Sequence, residues 1–252
     1  MYPNLFGQRL LNTCGICIAI GLVLCFVVYR YYVQKKGIDR KFADFLEWNA
    51  YVAIAAGFFS AAFFQAVYNY IENPAAGFHI TMQLTFLGGL IGGVSSFLIV
   101  YFAYGRKRFG PRLMEAYPIA PVCITISQVG GRIGCFFAGC CYGKPTDSWL
   151  GVRFPNLLYK AYPTQLFEAA FLLVLFLVLL YLVIQKNFKQ TFVVYMIAYG
   201  SFRFCIEFLR DDPRGELVGT LSPSQTLSLL MIVGSVPVYF ATRRILGASS
   251  PA

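Results

Sequence analysis

Two arginines stand in stretches that are otherwise apolar and long enough to form helices. Arg132 lies among glycines near the end of one run, and Arg203 lies in an aromatic run four residues before Glu207. A guanidinium stays charged at any physiological pH, so placing it in or near hydrocarbon is costly without an anionic partner. Two fixed guanidiniums can hold a phosphodiester through paired hydrogen bonds. These residues therefore indicate a binding site for an anion at the membrane surface.

The neighbours of Arg132 fit two interpretations. Gly131 and Gly134 remove side-chain bulk, so a ligand can approach the backbone closely. Alternatively, the segment is only a tight helix end in which Arg132 is paired with Glu168 or Glu207. Gln165 and Glu168 are three residues apart and share one face of the next helix. Glu168 is either a structural acid stabilised by the helix dipole or an ion-pair partner of Arg132. From these residues alone both interpretations stay open.

Arg203, Glu207 and Arg210 are spaced i, i+4 and i+7 and form one polar stripe on an aromatic helix. Such charges must face the protein interior or water rather than lipid. The simpler alternative is an Arg203–Glu207 pair within the helix that only stabilises the bundle.

Three of the eight cysteines differ from the rest because they lie at the end of an apolar run rather than inside it. Cys135, Cys140 and Cys141 could form a disulfide in an exported segment or provide a reactive thiol. A zinc site is not expected, because His79 is the only histidine and the three cysteines lack the C-x-x-C spacing.

The elements that position these residues are predicted to be membrane helices. Of the 252 residues, 58% are hydrophobic and 13% are charged, whereas a soluble domain carries about a quarter charged residues. The first run has no basic leader or cleavage site and is expected to remain as helix one. The fold class is therefore an all-α polytopic membrane protein, with one integral membrane domain over 1–252. Seven apolar segments of about the length needed to span a bilayer can be drawn, at roughly 10–29, 48–70, 80–103, 117–137, 168–185, 191–209 and 222–242.

The basic residues are distributed unevenly between the loops. Thirteen lysines and arginines lie in loops one, three and five and the C-terminal segment, against six on the opposite side. The positive-inside rule then predicts an N-terminus outside, a cytoplasmic C-terminus and an outside segment at about 138–165. The net charge of +10 is explained by topology and anionic lipid headgroups, and it does not indicate a nucleic-acid partner.

Helix three contains two overlapping pairs of glycines at i and i+4. Gly88 with Gly92, and Gly89 with Gly93, allow close contact between helices in lipid. The same bare backbone could also admit a lipid headgroup, and the sequence does not distinguish these roles.

Together, these segments resemble the bacterial prolipoprotein diacylglyceryl transferase family, and the matches follow the family order along the chain. The stretches that carry the resemblance are Gly131-Arg132-Ile133-Gly134 with Phe136 and Gly139, Pro163-Thr164-Gln165-Leu166 with Glu168, Phe202-Arg203-Phe204 with Glu207, Phe208 and Arg210, Phe86 through Gly92, and Ser222 through Leu227.

The resemblance implies an enzyme of the bacterial inner membrane whose active site faces the outer side. It would transfer diacylglyceryl from phosphatidylglycerol to the lipobox cysteine of a prolipoprotein and release glycerol phosphate. Arg132, Arg203 and Glu207 match the catalytic positions, and no metal or organic cofactor is implied. The expected substrate-binding residues are Gly88, Gly89, Gly131, Gly134, Cys135, Gln165, Glu168 and Arg210.

The chain departs from the family pattern at positions concerned with the acceptor. Leu87 stands where the family has histidine, and Cys135 stands where it has asparagine. Alternatives therefore remain: a transferase of the same fold with another acceptor, a membrane thiol–disulfide protein using Cys135, Cys140 and Cys141, or a lipid-binding protein without catalysis.

Overall fold

The structure, a computed structural model, describes residues 13–74, 77–80, 85–155, 157–211 and 221–248. Within these ranges the chain is almost entirely helical. The elements are α1 (Thr13–Lys36), α2 (Arg40–Glu72), α3 (Phe86–Val100), α4 (Arg106–Phe109), α5 (Leu113–Ala116), α6 (Ala120–Ala138), α7 (Thr164–Ile184), α8 (Thr191–Ile206) and α9 (Pro223–Ala248), with two short strands, β1 (Val152–Arg153) and β2 (Lys160–Ala161).

Seven helical stretches among the described residues are long and apolar enough to cross a membrane. A π-helical turn at Tyr101–Gly105 joins α3 to α4 in one span, and a 3₁₀ turn at Tyr117–Ile119 joins α5 to α6 in another. The remaining spans correspond to α1, α2, α7, α8 and α9. The predicted seven-span, all-α fold class is confirmed, and the chain is a multi-pass membrane protein.

Several predicted span boundaries were wrong by more than a helical turn, among them the starts of the second and third spans. The second span begins at Arg40 instead of residue 48, and the third begins at Leu87 instead of residue 80. The early start of α2 has a local cause, because the Asp39 carboxylate accepts a hydrogen bond from the Phe42 N–H at 3.1 Å. This N-cap stabilises a polar first turn, which a search for apolar residues does not detect.

The chain divides into two compact units, one formed by residues 1–35 with 114–252 and the other by residues 36–113. In the first unit, α6 packs against α7, α7 against α8, and α8 against α9. The buried face of α7 is formed by Leu172, Leu179 and Val183, among others. Side-chain contacts bring together the end of α6, the start of α7, the end of α8 and the start of α9.

The connection between α6 and α7 is tied to the residues that follow α8. Strands β1 and β2 pair antiparallel, and Phe154, next to β1, is buried. The Gly143 N–H donates to Tyr162 O at 2.8 Å, and the Lys144 N–H donates to Leu209 O at 2.8 Å. These backbone bonds fix the position of Arg210, which forms an isolated bridge with Gly143.

In the second unit, α2 and α3 pack along the predicted glycine seam. A methyl group on Gly92 would overlap the Cβ of Ser60 on α2, whereas a methyl group on Gly89 would lie at an ordinary 3.4 Å from the Cβ of Ala61. The seam therefore tolerates a side chain at one glycine and not at the other.

We predict that Gly92→Ala destabilises the protein by about 1–3 kcal/mol, because Ser60 Cβ is fixed to the backbone and the helices must separate. Gly89→Ala is the matched control and should be neutral or slightly stabilising, since alanine favours helix. Thermal unfolding in detergent measures both. Equal melting temperatures for the two variants would contradict the close packing of Gly92 against Ser60.

Candidate active site

Glu168 lies in the first turn of α7 and is fully buried, with 0% of its surface exposed. Its Oε1 lies 3.0 Å from Nε of Arg132 and accepts a hydrogen bond from the Tyr199 hydroxyl at 2.8 Å. Its Oε2 lies 3.9 Å from Nη1 of Arg210. A buried carboxylate is unfavourable alone, and two guanidiniums with a hydroxyl offset that cost. Arg132 thus pairs with Glu168 rather than with Glu207.

The second ion pair lies at the end of α8. Nη2 of Arg203 lies 2.8 Å from Oε2 of Glu207 and also donates to Ser224 Oγ at 2.9 Å. The Ser222 hydroxyl donates to Oε1 of Glu207 at 3.0 Å. Arg210 Nε lies 3.9 Å from the same carboxylate. Arg210 therefore stands between both glutamates and joins the two pairs into one cluster.

This cluster has an excess of positive charge. Its three guanidiniums, from Arg132, Arg203 and Arg210, face two carboxylates, so these five groups together carry one net positive charge. Nη1 of Arg203 is buried and has no hydrogen-bond partner among the described residues. A buried donor without a partner costs about 1–3 kcal/mol. An anionic ligand that accepts from it would remove that cost.

The end of α6 is shaped by a Schellman motif. The Gly139 N–H donates to Phe136 O at 3.1 Å, and the Cys140 N–H donates to Cys135 O at 3.2 Å. Gly139 has φ +70°, which glycine adopts without strain. The motif turns the chain back on itself, so that Cys140 returns to the side of Cys135.

The residues after this turn are held by the start of α7. The Gln165 side-chain amide donates to Cys140 O, and the Thr164 hydroxyl donates to Cys141 O at 2.9 Å. Gln165 is fully buried. Its observed contact is with the cysteine segment, while its predicted role in substrate binding stays a prediction.

Three cysteine thiols converge beside the arginine cluster. The Sγ atoms of Cys135, Cys140 and Cys141 all lie within 4.8 Å of one another, and none is in a disulfide. Hydrogen bonds from Cys135 and Cys140, together with the charge of Arg210, lower the pKa of Cys141 well below that of an ordinary thiol. Hydrogen bonding with the other two thiols and burial raise the pKa of Cys140.

Sequence reasoning missed Tyr199 and the two serines that begin α9. Buried residues recur every four positions on α8, at Tyr195, Tyr199 and Arg203, so the spacing could have placed Tyr199 on the face of Arg203.

A capping box at the start of α9 is formed by Ser222 and Gln225. The Gln225 N–H donates to Ser222 Oγ at 3.2 Å, and the Ser222 N–H donates to Gln225 Oε1 at 3.0 Å. A search for caps could have found Ser222, but its bond to Glu207 is a tertiary contact.

The predicted glycines are in different surroundings. Gly88 and Gly89 belong to the second unit, where they pack against α2. A side chain on Gly134 would meet Cys14 of α1, whereas one on Gly131 would meet nothing within 4 Å. The α6 backbone is thus closed by another helix at Gly134 and is accessible at Gly131, on the turn that carries Arg132.

Comparison with known proteins finds similarity over nearly the whole chain. Residues 4–241 match the family model described as prolipoprotein diacylglyceryl transferase. The chain is 32% identical to the phosphatidylglycerol–prolipoprotein diacylglyceryl transferase of Clostridium tetani, over 94% of each chain. It is 29% identical to enzyme 2 of that name from Clostridium perfringens, over 94% of this chain and 92% of the relative. It is 33% identical to the enzyme of that name from Pseudoalteromonas translucida, over 77% and 73%. The chain belongs to the prolipoprotein diacylglyceryl transferase family.

Proposed function

We propose that this protein transfers diacylglyceryl from phosphatidylglycerol to the lipobox cysteine of a prolipoprotein. The observation that carries the proposal is the buried arginine cluster, in which three guanidiniums face two carboxylates and Nη1 of Arg203 has no hydrogen-bond partner within the described part of the chain. A phosphodiester carries one negative charge and several acceptor oxygens. Its charge and hydrogen-bonding capacity complement those of the cluster.

The cluster favours the transition state over the bound lipid. The acceptor sulfur attacks the glyceryl carbon, the carbon–oxygen bond breaks, and glycerol phosphate leaves with the electron pair. Negative charge on the phosphate therefore increases during the reaction. Fixed guanidiniums in a site of low dielectric interact more strongly with this developing charge than with the starting diester.

The residues of the cluster have different roles in this mechanism. Arg132 and Arg203 contact the phosphate. Glu207 holds Arg203 through the 2.8 Å ion pair, and Glu168 holds Arg132 through the 3.0 Å ion pair. Arg210, whose side chain is buried, adds positive charge while bridging the two carboxylates.

The active site faces the outer side of the bacterial inner membrane. The cluster lies where α6 ends and α7 begins, the end of the bundle whose connections carry fewer lysines and arginines. The positive-inside rule assigns that end to the outside. Phosphatidylglycerol enters from the surrounding bilayer, and the prolipoprotein signal peptide brings its cysteine to the same side.

We predict that Arg203→Ala lowers the transfer rate by about 100-fold or more, because removal of one fixed donor to a developing anion has this effect in other enzymes. The assay follows glycerol phosphate release and the mass of a lipobox peptide in phosphatidylglycerol-containing micelles. Arg153→Ala is the control, because Arg153 is exposed and donates only to Leu158 O in the described structure. Retention of most activity by folded Arg203→Ala would contradict the phosphate role.

Tyr199 is a positioning residue, so its loss should lower kcat without unfolding the protein. We predict that Tyr199→Phe lowers kcat by about tenfold, since a hydrogen bond to a charged group contributes roughly 1.5–3 kcal/mol. Tyr195→Phe is the matched control, because that hydroxyl donates to Gln128 at 3.1 Å instead of to Glu168. Equal kcat values for the two variants would show that the Glu168 bond does not position Arg132.

The orientation predicts the behaviour of two reporter fusions. Alkaline phosphatase, which folds only outside the cytoplasm, should be active when fused after Trp149 and inactive when fused after Phe109. Immunoblots of the same cells control for expression. The reverse pattern would place the arginine cluster on the cytoplasmic side.

A further inference from the structure

The three thiols beside the arginine cluster have the arrangement of a metal-binding site. Their Sγ atoms lie within 4.8 Å of one another. A tetrahedral zinc ion with bonds of about 2.3 Å holds its sulfur ligands about 3.8 Å apart. Rotation of the cysteine side chains suffices to make up the difference. The thiols also come from one short stretch, so no helix has to move.

The backbone around these thiols is fixed by several contacts. The Schellman motif returns Cys140 to Cys135, and Thr164 and Gln165 bind the carbonyl groups of Cys141 and Cys140. Cys141 has φ +62°, in the left-handed region that residues other than glycine rarely adopt. Such strain persists only where the surroundings enforce it, and it is concentrated at functional sites.

The donor set selects the kind of metal. Thiolates favour Zn²⁺ and other soft or borderline ions over Mg²⁺ and Ca²⁺. Among the described residues, no histidine or carboxylate joins the three cysteines. Zinc prefers four ligands, so three cysteines leave one position open, as in catalytic zinc sites.

Electrostatics favour such a centre here despite the neighbouring cations. Zinc with three thiolates carries one net negative charge, and a fourth thiolate makes it two. The Arg210 guanidinium interacts electrostatically with the Cys141 sulfur, and its positive charge offsets part of this negative charge. Arg210 also belongs to the arginine cluster, so the proposed metal centre lies next to the proposed phosphate site.

We propose that Cys135, Cys140 and Cys141 bind one Zn²⁺ whose open position takes the acceptor cysteine as a thiolate. This inference rests on the proposed function. On coordination the acceptor S–H loses its proton to water, which reaches the site because Cys140 is exposed. The sulfur then forms a bond to the glyceryl carbon, and the carbon–oxygen bond breaks with its electron pair leaving on glycerol phosphate. Zinc keeps its oxidation state, and the neutral thioether product is a weaker ligand that water displaces.

The test is a Co²⁺ titration of reduced, full-length protein in detergent, because cobalt reports thiolate ligation by its absorption spectrum. We expect one equivalent to bind with sulfur-to-cobalt charge-transfer bands and to be displaced by Zn²⁺. Serine substitution at Cys135, Cys140 or Cys141 should each weaken binding by more than about 10–100-fold, the usual effect of losing a group that merely supports a ligand. Cys205→Ser is the control, because Cys205 is exposed on α8 and lies outside the cluster. Cobalt binding without sulfur-to-cobalt bands would overturn the proposed zinc site. Wild-type cobalt affinity in folded serine variants of the three cysteines would also overturn it.

The acceptor role is tested by adding lipobox peptides to the cobalt-loaded protein. A cysteine peptide should change the spectrum toward four thiolates, and its serine counterpart should not. If chelator-treated, metal-free protein transfers diacylglyceryl at the wild-type rate, the zinc inference falls and the proposed function stands. If the cobalt spectrum and its peptide response appear but no glycerol phosphate is released under any metal condition, the zinc site stands and the proposed function falls.

Discussion

The site depends on one buried carboxylate, Glu168, placed between two guanidiniums. Full burial of Glu168 would be unfavourable without Arg132 at 3.0 Å and the Tyr199 hydroxyl at 2.8 Å. These partners come from different helices, α6 and α8, so the ion pairs can form only when the helices are packed correctly. The interaction that orients the arginines is therefore also one that specifies the bundle.

The second carboxylate extends this network to α9. Glu207 pairs with Arg203, and its other oxygen accepts from Ser222, whose side chain also caps α9. Arg210 approaches both carboxylates at 3.9 Å, a distance at which it contributes charge more than a fixed hydrogen bond. The result is a buried, connected cluster of three guanidiniums and two carboxylates at one end of the helices. Under the proposed zinc site, the adjacent thiols offer a route for handling the acceptor proton.

Much of this arrangement could be predicted from the sequence, because hydropathy and helical spacing are local properties. The apolar runs gave the seven spans, and the i, i+4 spacing gave the Arg203–Glu207 pair. The choice of Glu168 as partner of Arg132 could not be made, since it depends on how α6 meets α7. Cys135, Cys140 and Cys141 could be picked out from the sequence as a possible thiol site, but their convergence could not, since a Schellman turn returns Cys140 to Cys135. Tyr199 was missed although its spacing from Arg203 was available.

The central claim is that the acceptor sulfur attacks the glyceryl carbon and that glycerol phosphate, stabilised by the arginine cluster, is the leaving group. The most direct measurement uses phosphatidylglycerol labelled with heavy oxygen at the atom bridging the diacylglyceryl carbon and phosphorus. After reaction with a lipobox peptide, mass spectrometry of both products locates the label. The proposed mechanism predicts that all of the label leaves in glycerol phosphate and that none stays in the lipidated peptide. Label retained in the peptide adduct, or peptide lipidated without release of labelled glycerol phosphate, would contradict it.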